Sequence, residues 1–306
     1  MVPMRKILHD GALQDELLEK GFVKVRMLDE RALEAFNREF DELRPDDGWA
    51  PDGTGLNRST YHCTFLDTNR EYKRQAQDLV RRVFQPLIDE VVVDYRILTS
   101  NLYVKQPGRG RFQIHQNWPT TADLSITTLT VWCPLHDVGV HNGTLRLVPG
   151  SHKIVPDVAT PQEPPFFSSF EDELIDRYLE PIELSAGEAL VFDDSLLHWS
   201  SENTSDEPRR AVQIETLPAE EQAVLYHLDR HGPEPQWELY AVDDAFFVDH
   251  SIDQVIGRPS TVRRIGLADY VNRQLDVAEF DRLLANGAEI RRNVYAGLGW
   301  PDHAEV

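Results

Sequence analysis

The chain has 306 residues, of which 41% are hydrophobic, 9% aromatic and 27% charged, and its 52 acidic and 31 basic side chains give a formal net charge of -21. This composition excludes a largely disordered chain and supplies enough apolar residues for a sizeable core. A surface of this charge repels the phosphates of nucleic acids, so we expect no nucleic-acid partner.

Residues 12–44 are predicted to form a helix, a strand and a second helix. Leucines at helical spacing precede Gly21, which can end the first helix, and residues 22–28 alternate like a strand. Asp29 can cap the second helix. A third helix is predicted from Arg70 to about Ile88.

The pattern changes at about residue 92. From 92 to 218 the chain consists of short β-branched and aromatic runs between Gly- and Pro-containing turns, which is typical of an all-β sandwich or barrel. We therefore predict a mainly-β chain with flanking helices, forming one domain over 1–306. It would comprise a helical N-terminal flank (1–91), the β core and a C-terminal extension (219–306). That extension and the loop at 45–60 are candidate lids.

Cysteine usage and hydropathy exclude several classes of protein. Cys63 and Cys133 stand outside any zinc-binding spacing and are predicted to be buried thiols. The charged N-terminal residues do not fit a signal peptide, and no stretch is apolar for long enough to span a membrane. We expect a cytoplasmic protein with no membrane partner, and no feature of the sequence predicts an oligomeric state.

Two histidines on predicted strands form a candidate metal site. His115 and Asn117, in RFQIHQNW, are two residues apart and would share one face of a strand, while His198 lies on a later strand. Two histidines and an oxygen donor on a barrel wall can hold a metal ion and leave coordination positions open. A histidine on a strand is more often an ordinary core or surface residue, so spacing alone leaves both interpretations open.

Arg209 follows His198 by eleven residues (209 − 198), across the turn SENTSDEP. We expect the strand after this turn to pair beside the His198 strand, which would bring the guanidinium into the barrel near the metal. A guanidinium matches the two oxygens of a carboxylate, and Ser200, facing the same way as His198, could donate to that carboxylate. Asp193 and Asp194 could be metal donors, but carboxylates near a strand end more often accept turn hydrogen bonds.

Three blocks of the sequence resemble the phytanoyl-CoA dioxygenase family: HQNW, then VWCPLHDVGVHNGTLRLVPGSHK, then AGEALVFDDSLLHWSSENTSDEPRRA. They match, in order, a strand motif HxD, a segment resembling NGxLxxxPGSH, and a distal histidine followed eleven residues later by an arginine; together they cover roughly residues 98–217. The resemblance implies a double-stranded β-helix (jelly-roll, cupin-like) core. It also implies an Fe(II)- and 2-oxoglutarate-dependent dioxygenase that uses O₂ to hydroxylate an unactivated C–H bond of a small metabolite, as in natural-product tailoring.

Transferred residue by residue, the resemblance implies iron on His115 and His198 and the distal carboxylate of 2-oxoglutarate on Arg209. Three further residues match positions that contact 2-oxoglutarate in relatives: Ser200, Trp132 and Asn101. Arg210 is the residue after Arg209, so its side chain should face the other side of the strand. His152, in the PGSH segment, is assigned a structural role because the family's metal histidines are the other two.

Position 117 departs from the family pattern, because Asn117 stands where the family has an Asp ligand. We favour the interpretation that Asn117 is a weak or water-mediated ligand in an active oxygenase. In a second interpretation its position is left to a halide or water, as in related halogenases. In a third interpretation the chain has become a catalytically silent protein that binds 2-oxoglutarate or another ligand. Cupin-like metal enzymes without 2-oxoglutarate are a further alternative, but they give no reason for Arg209.

Overall fold

The computed structural model describes residues 5–53, 59–156 and 158–287, and within these ranges the chain forms seven α-helices and thirteen β-strands. The helices are α1 (Gly11–Lys20), α2 (Glu30–Phe40), α3 (Arg70–Val91), α4 (Glu171–Arg177), α5 (Asp244–Asp249), α6 (Ile252–Ile256) and α7 (Val277–Asn286). The strands are β1 (Phe22–Arg26), β2 (His62–Cys63), β3 (Tyr95–Lys105), β4 (Phe112–His115), β5 (Leu129–Pro134), β6 (Leu145–Leu147), β7 (Glu180–Pro181), β8 (Glu188–Asp193), β9 (His198–Ser200), β10 (Arg209–Pro218), β11 (Val224–Asp229), β12 (Gln236–Ala241) and β13 (Arg264–Asp269). The predicted mainly-β architecture with flanking helices is confirmed.

Local sequence signals set the bounds of the N-terminal helices. Asp10, Asp29 and Asn69 are the N-caps of α1, α2 and α3, and the side chain of each accepts a hydrogen bond from a first-turn N–H group. Gly21 ends α1 in the left-handed conformation, with φ of 88°. A Cβ atom at Gly21 would lie 2.5 Å from Nδ1 of His152, so a residue with a side chain would displace the PGSH segment from α1.

A six-stranded antiparallel sheet forms one wall of the core, in the order β1-β8-β5-β10-β3-β2. The edge strands β1 and β2 come from the predicted helical flank, residues 1–91, so that flank is part of the core sheet. β10 lies between β5 and β3, and its register pairs Gln213 with Trp132 on one side and with Asn101 on the other. Three candidate site strands are therefore direct neighbours.

A four-stranded antiparallel sheet, in the order β4-β9-β6-β7, forms the opposite wall. The two sheets share an apolar cluster in which Ala211 of β10 packs with Leu145 and Leu147 of β6. Two antiparallel sheets packed face to face form a jelly-roll core. One expectation was wrong: the Arg209 strand, β10, does not pair with the His198 strand, β9, because β9 lies between β4 and β6 in the other sheet.

Helices α1 to α3 cover the outer side of the six-stranded sheet. Val212 and Ile214 of β10 pack there with Phe36 of α2 and Phe84 of α3. Burying each such side chain contributes about 1.5–3 kcal/mol, which strongly favours this orientation of the strand. Because successive side chains alternate between faces, Arg209 and the other odd-numbered residues of β10 face the interior between the two sheets.

The chain after residue 219 forms a smaller antiparallel sheet, in the order β11-β12-β13, together with α5, α6 and α7. Trp237 of β12 packs with Val155 and Val158, and Phe280 of α7 packs with Phe166. These contacts place the C-terminal elements against the segment that follows the PGSH motif.

The two candidate lids fall partly outside the described residues. Of the loop at 45–60, residues 54–58 lie outside them, and so do residues 288–306 of the C-terminal extension. Among the helices that the structure describes, none combines the length and the apolar character needed to cross a membrane.

Both cysteines are buried free thiols, as the sequence predicts. Sγ of Cys63 lies 3.4 Å from Oδ1 of Asn101, and Cys133 packs in the cluster beneath the helices. Burial raises the pKa of Cys63 to about 11, so the thiol is neutral and unreactive at physiological pH.

Candidate functional site

His115 and His198 face each other at the centre of the four-stranded sheet. His115 ends β4, His198 begins β9, and the two residues are direct cross-strand partners. Their ring centroids are 4.0 Å apart, although 83 positions (198 − 115) separate them in the chain. The structure therefore brings together the two predicted metal histidines.

Both imidazoles are prepared to act as neutral ligands. Nδ1 of His115 lies 2.8 Å from the carbonyl oxygen of Gln113, and Nδ1 of His198 lies 2.8 Å from that of Leu196. A carbonyl only accepts hydrogen bonds, so each Nδ1 carries the proton and each Nε2 keeps its lone pair. Burial lowers the pKa of His115 to about 4 and, together with the neighbouring His115, lowers that of His198 well below its usual range.

Asn117 contacts the same site and is held from behind. Nδ2 of Asn117 donates to Oγ1 of Thr130 at 2.7 Å and to Oδ1 of Asp194 at 3.2 Å. The Asn117 side chain also interacts with the His115 imidazole. The Asn117 amide is thus held beside the histidine pair, with its Nδ2 turned toward Thr130 and Asp194.

Arg209 begins β10 on the opposite sheet and points into the interior. Arg209 is only 2% exposed, and among the described residues its buried Nε and Nη1 atoms have no hydrogen-bond partner. Its guanidinium carbon lies 5.4 Å from the ring centroid of Trp132. Burial lowers the Arg209 pKa to about 10, so the group remains a cation. A buried cation with unused donors is suited to bind a ligand carboxylate.

Lys105 lies opposite Arg209 on β3 and was not singled out from the sequence. Its Nζ donates to Oγ of Ser200 at 2.6 Å and to the carbonyl of Ser201 at 2.7 Å. The Ser200 hydroxyl donates in turn to the carbonyl of Gly143 at 2.7 Å. The expectation that Ser200 donates to a carboxylate therefore does not match the geometry, because its proton is already engaged and Lys105 is the donor nearby.

Trp132, Gln213 and Asn101 form one row across the interior face of the six-stranded sheet. Nδ2 of Asn101 donates to Oε1 of Gln213 at 2.7 Å, and Oδ1 of Asn101 accepts from the backbone N–H of Phe65 at 2.9 Å. The amide of Asn101 is therefore engaged with the protein. Trp132 contacts the Arg209 guanidinium and is the more direct candidate for a position beside a bound carboxylate.

A cavity of about 700 Å³ opens beside the histidine pair. His115, Asn117, Asn101, Gln213 and Glu215 line it. Aromatic side chains form a further part of its wall: Phe65, Tyr103, Phe112, Trp118 and Phe247. The volume is ample for a small organic molecule.

Sequence reasoning missed two carboxylates beside this cavity. Asp194 was interpreted as a turn residue, yet it accepts from Asn117 and Thr130; the turn hydrogen bond, from the N–H of Ser195, goes to Asp193. Glu215 lines the cavity wall, and burial raises the pKa of both Asp194 and Glu215. The alternation of β10 could have indicated Glu215, since Arg209 and Glu215 are an even number of positions apart.

Comparison with known proteins is consistent with this site. The family model described as phytanoyl-CoA dioxygenase (PhyH) matches residues 17–211, which include both histidines and Arg209. The dioxygenase lolE1 of Epichloe uncinata is 31% identical over 222 residues, covering 66% of this chain and 79% of that protein.

A second curated relative is matched over a shorter stretch. The phytanoyl-CoA dioxygenase domain-containing protein 1 homolog of Dictyostelium discoideum is 26% identical over 152 residues, or 47% of this chain. The match spans only 54% of that relative's length.

Among solved structures, the chain resembles the non-heme alpha ketoglutarate dependent carbocyclase SnoK from nogalamycin biosynthesis. The likeness has a TM-score of 0.54 at 21% identity and covers 70% of this chain and 86% of that protein. At this level of identity the likeness concerns the fold, and it supports the jelly-roll core described above.

Proposed function

The chain belongs to the phytanoyl-CoA dioxygenase family, and from this premise we propose that it is an Fe(II)- and 2-oxoglutarate-dependent oxygenase that hydroxylates an unactivated C–H bond of a small molecule. The observation that carries the proposal is the presence of two adjacent neutral imidazoles on one sheet and, on the sheet packed against it, a buried guanidinium with no hydrogen-bond partner at Nε or Nη1 among the described residues. A cytoplasmic location stays a prediction from the sequence.

The donor groups fit the proposed cofactors. Two Nε2 lone pairs on adjacent neutral imidazoles suit a divalent iron, and Asn117, whose Nδ2 is bonded away from them, lines the same cavity as His115. The unused Nε and Nη1 donors of Arg209 suit a carboxylate, which would satisfy an otherwise costly buried cation. His115, His198 and Asn117 would hold the metal, and Arg209 the distal carboxylate of 2-oxoglutarate.

When bound, Fe(II) with 2-oxoglutarate and O₂ supplies the oxidation that replaces a C–H hydrogen by hydroxyl, with release of succinate and CO₂. The protein's own part is to position and to exclude water. The carbonyls of Gln113 and Leu196 fix the two imidazole orientations. Trp132 packs against the Arg209 guanidinium, and Lys105, opposite Arg209 on β3, holds the Ser200 hydroxyl and the Ser201 carbonyl in place.

The network around Asn117 favours a retained oxygen ligand over a vacated position. Halogenation needs room for a halide where the family has its Asp ligand. Here the Asn117 side chain occupies that position and is tied by two hydrogen bonds from Nδ2. We therefore propose hydroxylation as the first function and keep halide binding and a silent ligand-binding role as outcomes of the experiment below.

Anaerobic addition of Fe(II) and 2-oxoglutarate to the purified chain should produce a visible charge-transfer band that neither addition produces alone. Admission of air should then convert 2-oxoglutarate to succinate, even without a substrate. Absence of both results contradicts the proposal. A band without succinate indicates the silent ligand-binding alternative, and a band that shifts with chloride indicates the halogenase alternative.

A further inference from the structure

Asp194 lies directly behind Asn117 in the interior. It follows β8, is 3% exposed, and its backbone carbonyl accepts from the N–H of Asn117 at 2.8 Å. Its Oδ1 accepts from Oγ1 of Thr130 at 2.6 Å and from Nδ2 of Asn117 at 3.2 Å. Asn117 and Asp194 are thus joined through both main chain and side chain.

The hydrogen-bond polarity determines which way the amide faces. Because the Thr130 hydroxyl donates its proton to Asp194, it offers a lone pair to Asn117. A carboxylate only accepts, so both groups behind Asn117 demand the NH₂ end of the amide. The oxygen end is left for the histidine pair. An Asp at position 117 would instead present a carboxylate oxygen to the carboxylate of Asp194.

We propose that Asp194 is a positioning residue that holds the oxygen of Asn117 toward the metal site and carries the negative charge that the family pattern has at position 117. The negative charge then lies on Asp194, which contacts Asn117 from the side away from the metal position, and Asn117 supplies a neutral oxygen as the ligand. On this account Asn117 and Asp194 are a matched pair, and the departure from the HxD pattern is a relocation of the carboxylate. The inference rests on the proposed function.

A charge swap tests this pair. Co(II) affinity and the visible Co(II) spectrum would be measured for the wild type, Asn117→Asp, Asp194→Asn and the double variant, with Tm recorded for each. Each single variant should lose Co(II) affinity by about tenfold or more, the scale of losing a residue that orients a metal ligand. The double variant, which restores one carboxylate facing one amide, should return to within about threefold of wild type.

Several results would overturn the proposal. The proposal is wrong if either single variant binds Co(II) as tightly as wild type. It is also wrong if the Co(II) affinity of the double variant is no higher than that of the weaker single variant. Asp193→Asn is the matched control, because that carboxylate accepts from the N–H of Ser195. If Asp194→Asn does not fold, Thr130→Val replaces it, since it removes the acceptor 2.7 Å from Nδ2. Wild type that binds no Co(II) contradicts the proposed function instead.

Glu215 lies on β10 of the six-stranded sheet and supports a second, independent inference. Its carboxylate lines the cavity, and it accepts one hydrogen bond, from Nε2 of Gln213 at 3.1 Å. Its cross-strand neighbours are Thr99 and Thr130, and the carboxyl of Asp194 is close enough to act on it electrostatically. Among the residues that the structure describes, none forms an ion pair with Glu215.

Three cations near the cavity lie far from Glu215 or are engaged by other groups. Arg209 is six positions from Glu215 along β10 (215 − 209), about 20 Å at ~3.3 Å per residue. Arg111 lines the cavity, but its guanidinium carbon stands over the Trp199 ring at 5.7 Å from the centroid. Nζ of Lys73 stands 5.7 Å from the ring centroid of Phe65 and donates to the carbonyl of His250 at 3.0 Å.

We infer that Glu215 binds a cationic group of the substrate, an amine, and that the aromatic side chains of the same cavity pack against the rest of it. Phe65, Trp118 and Phe247 line the cavity, and the Phe65 ring contacts both others, with centroids 6.3 Å from Trp118 and 6.4 Å from Phe247. Aromatic faces attract an ammonium group as well as apolar carbon. This assigns the substrate to amine-bearing small molecules and also rests on the proposed function.

A fragment pair tests this assignment. Binding of phenethylamine and of its neutral analogue 2-phenylethanol would be measured calorimetrically on metal-free chain and on chain loaded anaerobically with Fe(II) and 2-oxoglutarate. The amine should bind about tenfold tighter, and Glu215→Gln should remove that preference. Glu163→Gln is the matched control, because that cavity carboxylate is already paired with Arg230 and Tyr270. Equal binding of both fragments, or a preference that survives Glu215→Gln, overturns the inference, whereas failure to load the cofactors contradicts only the proposed function.

Discussion

Arg209→Met should lower the affinity for 2-oxoglutarate by about two orders of magnitude or more. Removing one partner of a buried, hydrogen-bonded charge pair typically costs about 2–5 kcal/mol. Without ligand the same change should leave Tm unchanged or raise it, because the wild-type guanidinium has two buried donors without partners. Titration of 2-oxoglutarate into anaerobic Fe(II)-loaded chain, followed by the charge-transfer band and by Tm, measures both effects.

Arg210→Ala is the matched control for this experiment. Arg210 is the next residue of β10 and faces outward, where its guanidinium carbon stands 4.9 Å from the Phe40 ring centroid and its Nη1 pairs with Asp41 at 2.7 Å. Its loss should leave 2-oxoglutarate affinity as it is. Full 2-oxoglutarate affinity in Arg209→Met would argue for a cupin-like metal enzyme that does not use this co-substrate.

His115→Ala and His198→Ala should each lower Fe(II) affinity by at least ~100-fold, the upper end of what loss of an orienting residue costs. Each variant removes one of two adjacent Nε2 donors, and Asn117 supplies only a neutral oxygen in compensation. Both variants should still fold, because the Nδ1 hydrogen bond that each loses goes to a carbonyl only two residues away in the chain. Metal content after dialysis, measured beside Tm, separates loss of metal from loss of fold.

His152→Ala provides the contrasting result. His152 is 7% exposed, its Nε2 lies 3.3 Å from the carbonyl oxygen of Leu18, and its ring packs against Gly21. This variant should lower Tm and keep the wild-type metal content. Metal loss in His152→Ala with an unchanged Tm would transfer the metal role to the PGSH histidine and refute the assignment of His115 and His198.

Several features follow from local sequence alone. The stop at Gly21 and the cap at Asp29 act within one helical turn, so α1 ends and α2 begins where the sequence indicates. Alternation along a strand is equally local. It predicts that Arg209 and Arg210 face opposite sides of β10, and the structure has this arrangement. Asn117, expected on the His115 strand, instead lies beyond the end of β4, although both residues line the same cavity.

Other features depend on which strands become neighbours. β10 was expected beside β9, but pairing with β3 and β5 places Arg209 on the opposite wall, beside Lys105 and Trp132. Asp194 meets Asn117 across 77 positions of the chain. The role of the Ser200 hydroxyl was decided by the carbonyl of Gly143, 57 positions away.

By itself, the sequence determined helices α1 to α3, the choice of the two candidate histidines, the opposite faces of Arg209 and Arg210 and the departure at Asn117, because caps, strand alternation and motif spacing are properties of short segments. Only the tertiary structure decided the sheet that carries Arg209, the donor role of Lys105, the hold of Asp194 on Asn117 and the place of Glu215 in the cavity wall. The physical reason is that strand alternation determines the face on which a side chain lies, whereas its partners depend on non-local strand pairing.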